Sequence, residues 1–506
     1  MTDTAQDSVA EESLVDAYGG HLCDNPGPID ASVLYDQKEH VSSAIWEGQE
    51  RGALRCHEHT SKLDEWKLTA KQNELVEKAG FRHFIKIGAF SLDNQLISAL
   101  VERWRKETNT FHLPVGELTI TLNEVGIILG LPVDGEPVLG VAVKDSSTDL
   151  TCERLLGKTP SSNDRRGGSV KLSWLKESFS HCPENASIED VEKYTRAYLL
   201  YLVGSTMFST TGGNTVPVMY LPLFEDFDKA GKYAWGAAAL AFLYRALGNA
   251  TSKSQSTISG CLTLLQCWSY SHINIGRPKL SQDSTNDVFP LALRWKQKQI
   301  GQRAKCNLVQ YRKALDSLQP CDVDWLPYQN ADNIIPEDIK HDLILGRSKT
   351  TLVCIDKEEK HLPDRCLRQF GMCQPIPQEV QRVNVKTESA GHADSSCTEW
   401  QKRQENIVVC DDSLDDSKYK QWYSKITRKY VGRHTSLESL FRQTVAGMTK
   451  MLELAQTLSR DDMSPANKEI IAIIKNTLTK SLKNPLACPK DKLPTRSAKK
   501  RKLKEV

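Results

Sequence analysis

Several absences narrow the reading before any motif is considered. No apolar run reaches the roughly 20 residues that a membrane-spanning helix needs; the longest, 198–208 and 233–244, stop well short. The N-terminus, MTDTAQDSVAEESLVDAYGG, has neither the basic start nor the apolar stretch of a secretory signal. No membrane partner is expected on these grounds. The 14 cysteines are scattered singly with no C-x-x-C pair, which reads as reduced thiols in an intracellular protein. There is no surplus of charge either: 66 basic residues face 64 acidic ones, for a net +2. A molecule-wide pull toward DNA is therefore excluded, and any such attraction must be local.

Signatures of chemistry are equally scarce. Gly157-Lys158-Thr159 has the ending of a phosphate-binding loop. The glycine such a loop requires five residues earlier is Cys152, and Pro160 interrupts the amides that would follow, so this is a surface turn. Cys56, His57 and His59 could ligate a metal, but no second group has suitable spacing, and no metal is expected. Metal-assisted phosphatase signatures are missing.

What is present is a densely patterned stretch, FSLDNQLISALVERWRKETNTFHLPVGELTITLNEVGIILGLPVDG, residues 90–135. Leu92, Leu96, Leu100 and Trp104 recur every fourth residue and predict one helix with an apolar face, leaving Glu102, Arg103, Arg105 and Lys106 mostly to solvent. The period then changes to two: Phe111, Leu113 and Val115, then Leu118, Ile120 and Leu122, predict a hairpin about Pro114-Val115-Gly116-Glu117. Thr121 and Glu124 have capping-box spacing, Gly130 suits a helix C-terminus, and Pro132 bars continuation. His112 lies among apolar neighbours and reads as structural.

Further along, 144–170 reads as a long surface insertion with one short helical turn. Helical faces follow near Trp174–Leu202, and a small-residue helix over Tyr233–Leu247 should let a neighbour approach closely. Helices are expected near Ser256–Tyr270 and Gln302–Leu318, and a strand over Thr350–Ile355. In the C-terminal part, Lys418–Val431 reads as helix. Phe441, Val445, Met448, Leu452 and Ala455 mark another over Leu437–Leu458. A last one runs from Ser464-Pro465 to Leu482, with Ile470, Ile473, Ile474 and Leu478 on one face.

The stretch LVERWRKETNTFHLPVGELTITLNEVGIILGLPVDG resembles the opening motif of the plant mobile domain. YLPLFEDFDKAGKYAWGAAALAFLYRAL, ISGCLTLLQCWSYSHINIGRP, HLPDRCLRQFGMCQPIP and YKQWYSKITRKYV are similar to later stretches of that family, in family order, over about 85–430. With no large domain appended, the chain looks like the free-standing MAIN-like type. The resemblance implies a mainly helical nuclear factor in transposable-element silencing, gene expression, genome stability, cell division and meristem maintenance. It implies a type-7-like protein phosphatase and related MAIN-like proteins as partners, and a chromatin-associated complex. It supplies no catalytic residue. The family's aminotransferase-like label would need a Schiff-base lysine, a phosphate cup and an acidic partner for the cofactor ring. No such set can be assembled here, so no cofactor is expected and the chain is read as non-enzymatic.

Two sites are expected on the resemblance and local pattern together. Lys499, Lys500, Arg501 and Lys502 form a nuclear-import signal in the basic tail, and Val385-Lys386-Thr387-Glu388 offers Lys386 for sumoylation. The fold class is mainly α: a multi-helix globular domain with a few short β-hairpins, followed by C-terminal helices and flexible tails. Residues 1–60 are read as an acidic, mostly disordered N-terminus and 61–377 as the core. A polar linker at 378–415, C-terminal helices at 416–484 and a basic tail at 485–506 complete the chain. The alternative reading is a direct nucleic-acid-binding protein descended from a mobile element. For that the near-neutral charge leaves room only for a local stripe.

Overall fold

The computed structural model describes residues 26–57, 60–140, 147–212, 214–279, 288–296, 306–378, 392–409, 416–432, 451 and 465–483. The chain divides into a unit spanning Asn25–Arg433 and a second unit, of which Met451 and one helix are described. The first unit is mainly helical. Its β structure amounts to two- and three-stranded sheets of short strands, all antiparallel except the pair formed by Arg55–Cys56 and Thr257–Ile258.

Two helices form its centre. On α5 (Trp235–Ala250) all but a few residues are buried, and on α6 (Leu262–His272) every residue is. A helix apolar on every side is one surrounded by protein. The expected small-residue contact occurs at Gly236, where an added Cβ would lie 2.9 Å from Val133 and 3.0 Å from Val125. There α5 meets α3 (Leu122–Leu129), whose capping box forms as the spacing predicts. Gly130 closes α3 in the left-handed conformation at φ 65°, and an added Cβ there would come within 2.5 Å of His83.

The patterned stretch departs from expectation at one point. Helix α2 covers Asn94–Val101 and ends before Trp104, which enters strand β1 (Trp104–Arg105). β1 pairs antiparallel with β2 (Thr110–Leu113), which pairs with β3 (Gly116–Leu118) around the expected turn. Aromatic contacts outcompete the i,i+4 pattern: the Trp104 ring meets Phe111 edge-on at 4.8 Å and Tyr244 at 5.0 Å, while Phe111 stacks on Trp268 at 4.9 Å.

Three other expectations are corrected. Residues 26–57, expected to be mostly disordered, are folded. Helix α1 (Val41–Trp46) is buried along one side, Val41 N–H donates to Thr251 O at 2.8 Å, and Arg55–Cys56 pairs with Thr257–Ile258. These bonds are long-range, so low local apolar content did not announce them. The 144–170 stretch holds helix α4 (Thr148–Leu156), with Cys152, Leu155 and Leu156 buried, and then a hairpin of Arg165–Arg166 and Ser169–Lys171. The expected linker contains α8 (His392–Gln401). Its Trp400 is 1% exposed, and the indole N–H donates to Gly135 O at 3.0 Å. That helix lies on the hairpin of β4 (Thr350–Cys354) and β5 (Lys357–His361).

Helix α7 (Leu308–Asp316) packs on α2, and α9 (Ser417–Ile426) lies against the β2–β3 hairpin through Tyr419 and Tyr423. In the second unit α10 (Pro465–Lys483) carries the expected stripe, with Ile470, Ile473 and Ile474 exposed and Leu478 buried. Of the stripe expected over Leu437–Leu458, Phe441, Val445, Met448, Leu452 and Ala455 lie outside the described residues.

Candidate functional site: a buried ionic cluster beneath the first hairpin

Ending α2 at Val101 changes the fate of the charges after it. Arg103 and Arg105, expected in solvent, are each 1% exposed, and Glu102 is fully buried. Lys106 alone of the four reaches solvent, pairing with Asp36 at 2.8 Å. Buried charges persist only when paired and hydrogen-bonded, and each finds its partner far along the chain. Glu102 receives a forked pair from Arg312 on α7, with Nε at 2.7 Å and Nη2 at 2.8 Å. Arg103 pairs through Nη2 with Asp316 and donates through Nη1 to Lys429 O at 2.8 Å. Asp316 also accepts from the N–H groups of Val431 at 3.0 Å and Gly432 at 2.9 Å.

Across the ribbon, Glu117 on β3 receives Arg365 in the same forked manner, at 2.6 and 2.8 Å, and Thr110 Oγ1 donates to it at 3.1 Å. Tyr423 Oη donates to Leu113 O at 2.9 Å, and Tyr419 stacks on Tyr423 at 5.5 Å. His112 stands 3.2 Å through Nδ1 from Thr427 Oγ1 and 3.4 Å through Nε2 from Thr108 Oγ1. Burial, reinforced by Arg105, Arg365 and Arg103, drives its pKa well below the usual range, so it stays neutral.

Arg105 is the least satisfied member. Burial, opposed by Glu107 and reinforced by Arg428 and Arg103, brings its guanidinium down to about 9. Its Nη2 reaches Ser42 Oγ at 3.4 Å. Arg428, brought down to about 10 chiefly by burial, holds the same residue from the other side, donating from Nη2 to Ser42 O at 3.0 Å and from Nη1 to Gly27 O at 3.2 Å.

A second buried group lies at the start of α3. Burial pushes Glu124 up, but hydrogen bonds from His272 and Thr121 outweigh it and hold the carboxyl below its ordinary value. Gln369 Nε2 also donates to it at 3.0 Å. His272 Nδ1 faces Asp324 O at 2.9 Å and must donate there, because a carbonyl only accepts. Its Nε2 stands 3.4 Å from Glu124 Oε1.

Chemically the carboxylates of the cluster are saturated rather than poised. Glu102 and Glu117 are each engaged on both oxygens by a forked guanidinium, and neither of the two best-formed concavities among the described residues is lined by a cluster member. The larger, about 380 Å³ and open, is lined by Phe90, Gln266, Tyr270, Trp295 and Lys296 among others. The geometry is that of a clasp: the N-terminal segment, the hairpin, α7, the turns around Arg365 and the segment after α9 meet on shared charges.

The expected site residues are placed as follows. Lys499, Lys500, Arg501 and Lys502 lie outside the described residues, as does Lys386. Lys158 of the loop-like tripeptide donates to Ser178 O at 2.8 Å and stands 4.7 Å over the Phe179 ring, a packing role. Cys56 lies on the parallel strand pair beside His57, while His59 lies outside the described residues. Among the described residues no group of three His, Cys, Asp or Glu side chains could hold a metal ion. Asp316, Arg312, Arg365 and Glu117 were not singled out by sequence, since only their meeting in space marks them.

The plant mobile domain family model matches residues 80–424, from the glycine before Phe81 to the last turn of α9. The chain is 58% identical over 459 residues to Protein MAIN-LIKE 2 of Arabidopsis thaliana, covering 89% of this chain and 68% of that one. It is 54% identical over 444 residues to Protein MAINTENANCE OF MERISTEMS of the same plant, covering 87% and 92%. It is 35% identical over 435 residues to a serine/threonine-protein phosphatase 7 long form homolog of Arabidopsis thaliana, covering 80% of this chain and 32% of that protein. No solved structure matches.

Proposed function

The chain belongs to the plant mobile domain family, and from that premise we propose that it is a non-enzymatic nuclear interaction module. In this reading it serves transposable-element silencing, gene-expression control, genome stability and meristem maintenance by assembling with a separate type-7-like protein phosphatase. The single observation that carries the partner is the 35% identical relative, named a phosphatase 7 long form homolog, in which the shared region makes up 32% of the chain. A domain joined covalently to another activity in one protein is a candidate to meet it non-covalently where it stands alone. The saturated carboxylates of the cluster support a binding rather than a catalytic reading. The contiguous Lys499, Lys500, Arg501 and Lys502 support import to the nucleus.

Affinity purification of the tagged full chain from plant nuclei tests the assembly. A phosphatase-like protein should co-purify in stoichiometric amount, and its absence from repeated purifications would sink the partner claim. Replacing Lys499–Lys502 with glutamine in a fluorescent fusion should shift it out of the nucleus, and unchanged nuclear accumulation would refute the import signal.

A further inference from the structure

The segment 417–432 is charged in one sense only: Lys418, Lys420, Lys425, Arg428 and Lys429, with no aspartate or glutamate. Its inner side is neutralised. Arg428 is buried, and the carboxylates lying beneath the segment, Glu117 and Asp316, are fully buried and bound to Arg365 and Arg103. Negative charge is thus held inside the fold and positive charge faces out. Tyr419, Tyr423 and Ile426, at i, i+4 and i+7, form the buried face of α9. Lys418 and Lys425 have the same i, i+7 relation on a neighbouring flank, which sets them about 10 Å apart along the axis. Half-buried Trp422 falls between them, and Gln421 and Ser424 are exposed alongside.

Two carboxylates lie at the edge of this flank and offset part of its charge. Asp416 Oδ1 accepts from Gln374 N–H at 2.8 Å, and Asp30 Oδ1 accepts from Ser32 N–H at 2.8 Å while lying near Lys425. Among the described residues none of Lys418, Lys420, Lys425 and Lys429 forms an ion pair. Elsewhere on the unit Lys62, Lys78, Lys106, Lys176, Lys193, Lys340 and Lys360 do, and the exposed lysines that do not, such as Lys67, Lys171, Lys253 and Lys402, are scattered rather than gathered on one short segment. The support is rigid, because the two tyrosines and Arg428 are locked into the clasp.

We propose that this outer face of α9, continued by Lys429, binds the phosphate backbone of a nucleic-acid duplex without reading its sequence. Lysines are compact point charges that grip phosphate wherever it lies, and the amide and hydroxyl between them are neutral donors of the kind that contact phosphate oxygens. A duplex presents charge at regular, close spacing, so a row of ammonium groups can engage it in any register. The chain's near-neutral total is no obstacle, because segment 417–432 itself carries no carboxylate.

The test is fluorescence anisotropy on a 30-base-pair duplex across a salt series, with the full chain carrying K499Q, K500Q, R501Q and K502Q so that the tail does not contribute. Adding Lys418→Gln, Lys425→Gln and Lys429→Gln should make the log–log salt slope shallower by about 3 and weaken low-salt binding by ten-fold or more. The corresponding triple arginine variant should keep both, and all proteins should melt alike because these side chains are exposed or half-exposed. An unchanged slope and affinity in the glutamine variant would overturn the proposal. So would an acidic polypeptide competing as well as duplex at equal charge, which would assign the face to an acidic protein.

Discussion

The Glu117–Arg365 pair gives the clearest test of how the clasp works. Both side chains are almost fully buried and joined by two hydrogen bonds of 2.6 and 2.8 Å, and Thr110 adds a third to the carboxylate. Removing one partner leaves the other as a lone buried charge, which costs roughly 3–5 kcal/mol. Glu117→Leu and Arg365→Met should each lose about that much. A folded unit is stable by only about 5–15 kcal/mol, so either change approaches the limit of folding. The double variant removes both charges and keeps much of the volume. It should recover most of the loss, retaining a deficit of about 1 kcal/mol for the lost Thr110–Glu117 hydrogen bond, since Thr110 keeps Thr108 Oγ1 as a partner at 2.7 Å. Urea unfolding, followed together by tryptophan fluorescence and circular dichroism, measures the cycle through midpoints at constant slope. The reasoning fails if each single variant costs less than about 1 kcal/mol, or if the double variant simply equals their sum.

Three further outcomes are expected. His361 donates from Nδ1 to Ser348 O at 2.7 Å, and burial pushes it down to about 4. The unfolded chain takes up a proton below about pH 6.5 that the fold refuses, so stability is full above that value and falls by on the order of 3 kcal/mol as pH drops toward 4. His361→Asn should flatten that part of a melting-temperature profile, and an unaltered profile would show the group to be irrelevant. Gly130→Ala should cost about 1–3 kcal/mol in urea unfolding, because the left-handed backbone and the His83 side chain both oppose a Cβ. Removing residues 1–57 should leave Arg105 and Arg428 without Ser42 and open the clasp, seen as protease cleavage between Ser417 and Gly432. Resistance equal to that of the full chain would contradict the role given to the N-terminal segment.

Local chemistry was legible in the sequence wherever a structure is made by near neighbours. The hairpin about Pro114-Val115, the Thr121–Glu124 box, the Gly130 cap and the small-residue contact at Gly236 all depend on spacing within a few residues. The ionic cluster was not legible because its partners are remote: Arg103 and Asp316 are 213 residues apart, and Glu117 and Arg365 are 248. Arginines next to glutamates after an apolar helix look like a solvated face, and nothing within a helical turn says otherwise. The folding of residues 26–57 was hidden for the same reason, as Arg428 and Lys425, which hold its start, lie some four hundred residues further on. Trp104 shows the limit of periodicity itself: it fits the helical stripe, yet two aromatic rings, Phe111 and Tyr244, settle its place.

The clasp also fixes where the polypeptide comes and goes. Lys429 N–H donates to Pro26 O at 2.9 Å, so the first and last described segments of the unit meet. A fold whose ends share one doorway behaves as a cassette. It can be set into a longer reading frame, or carry unrelated sequence on either side, without being pulled apart. For a domain found both nearly alone and as a third of a much longer chain, that geometry makes each arrangement equally easy to inherit.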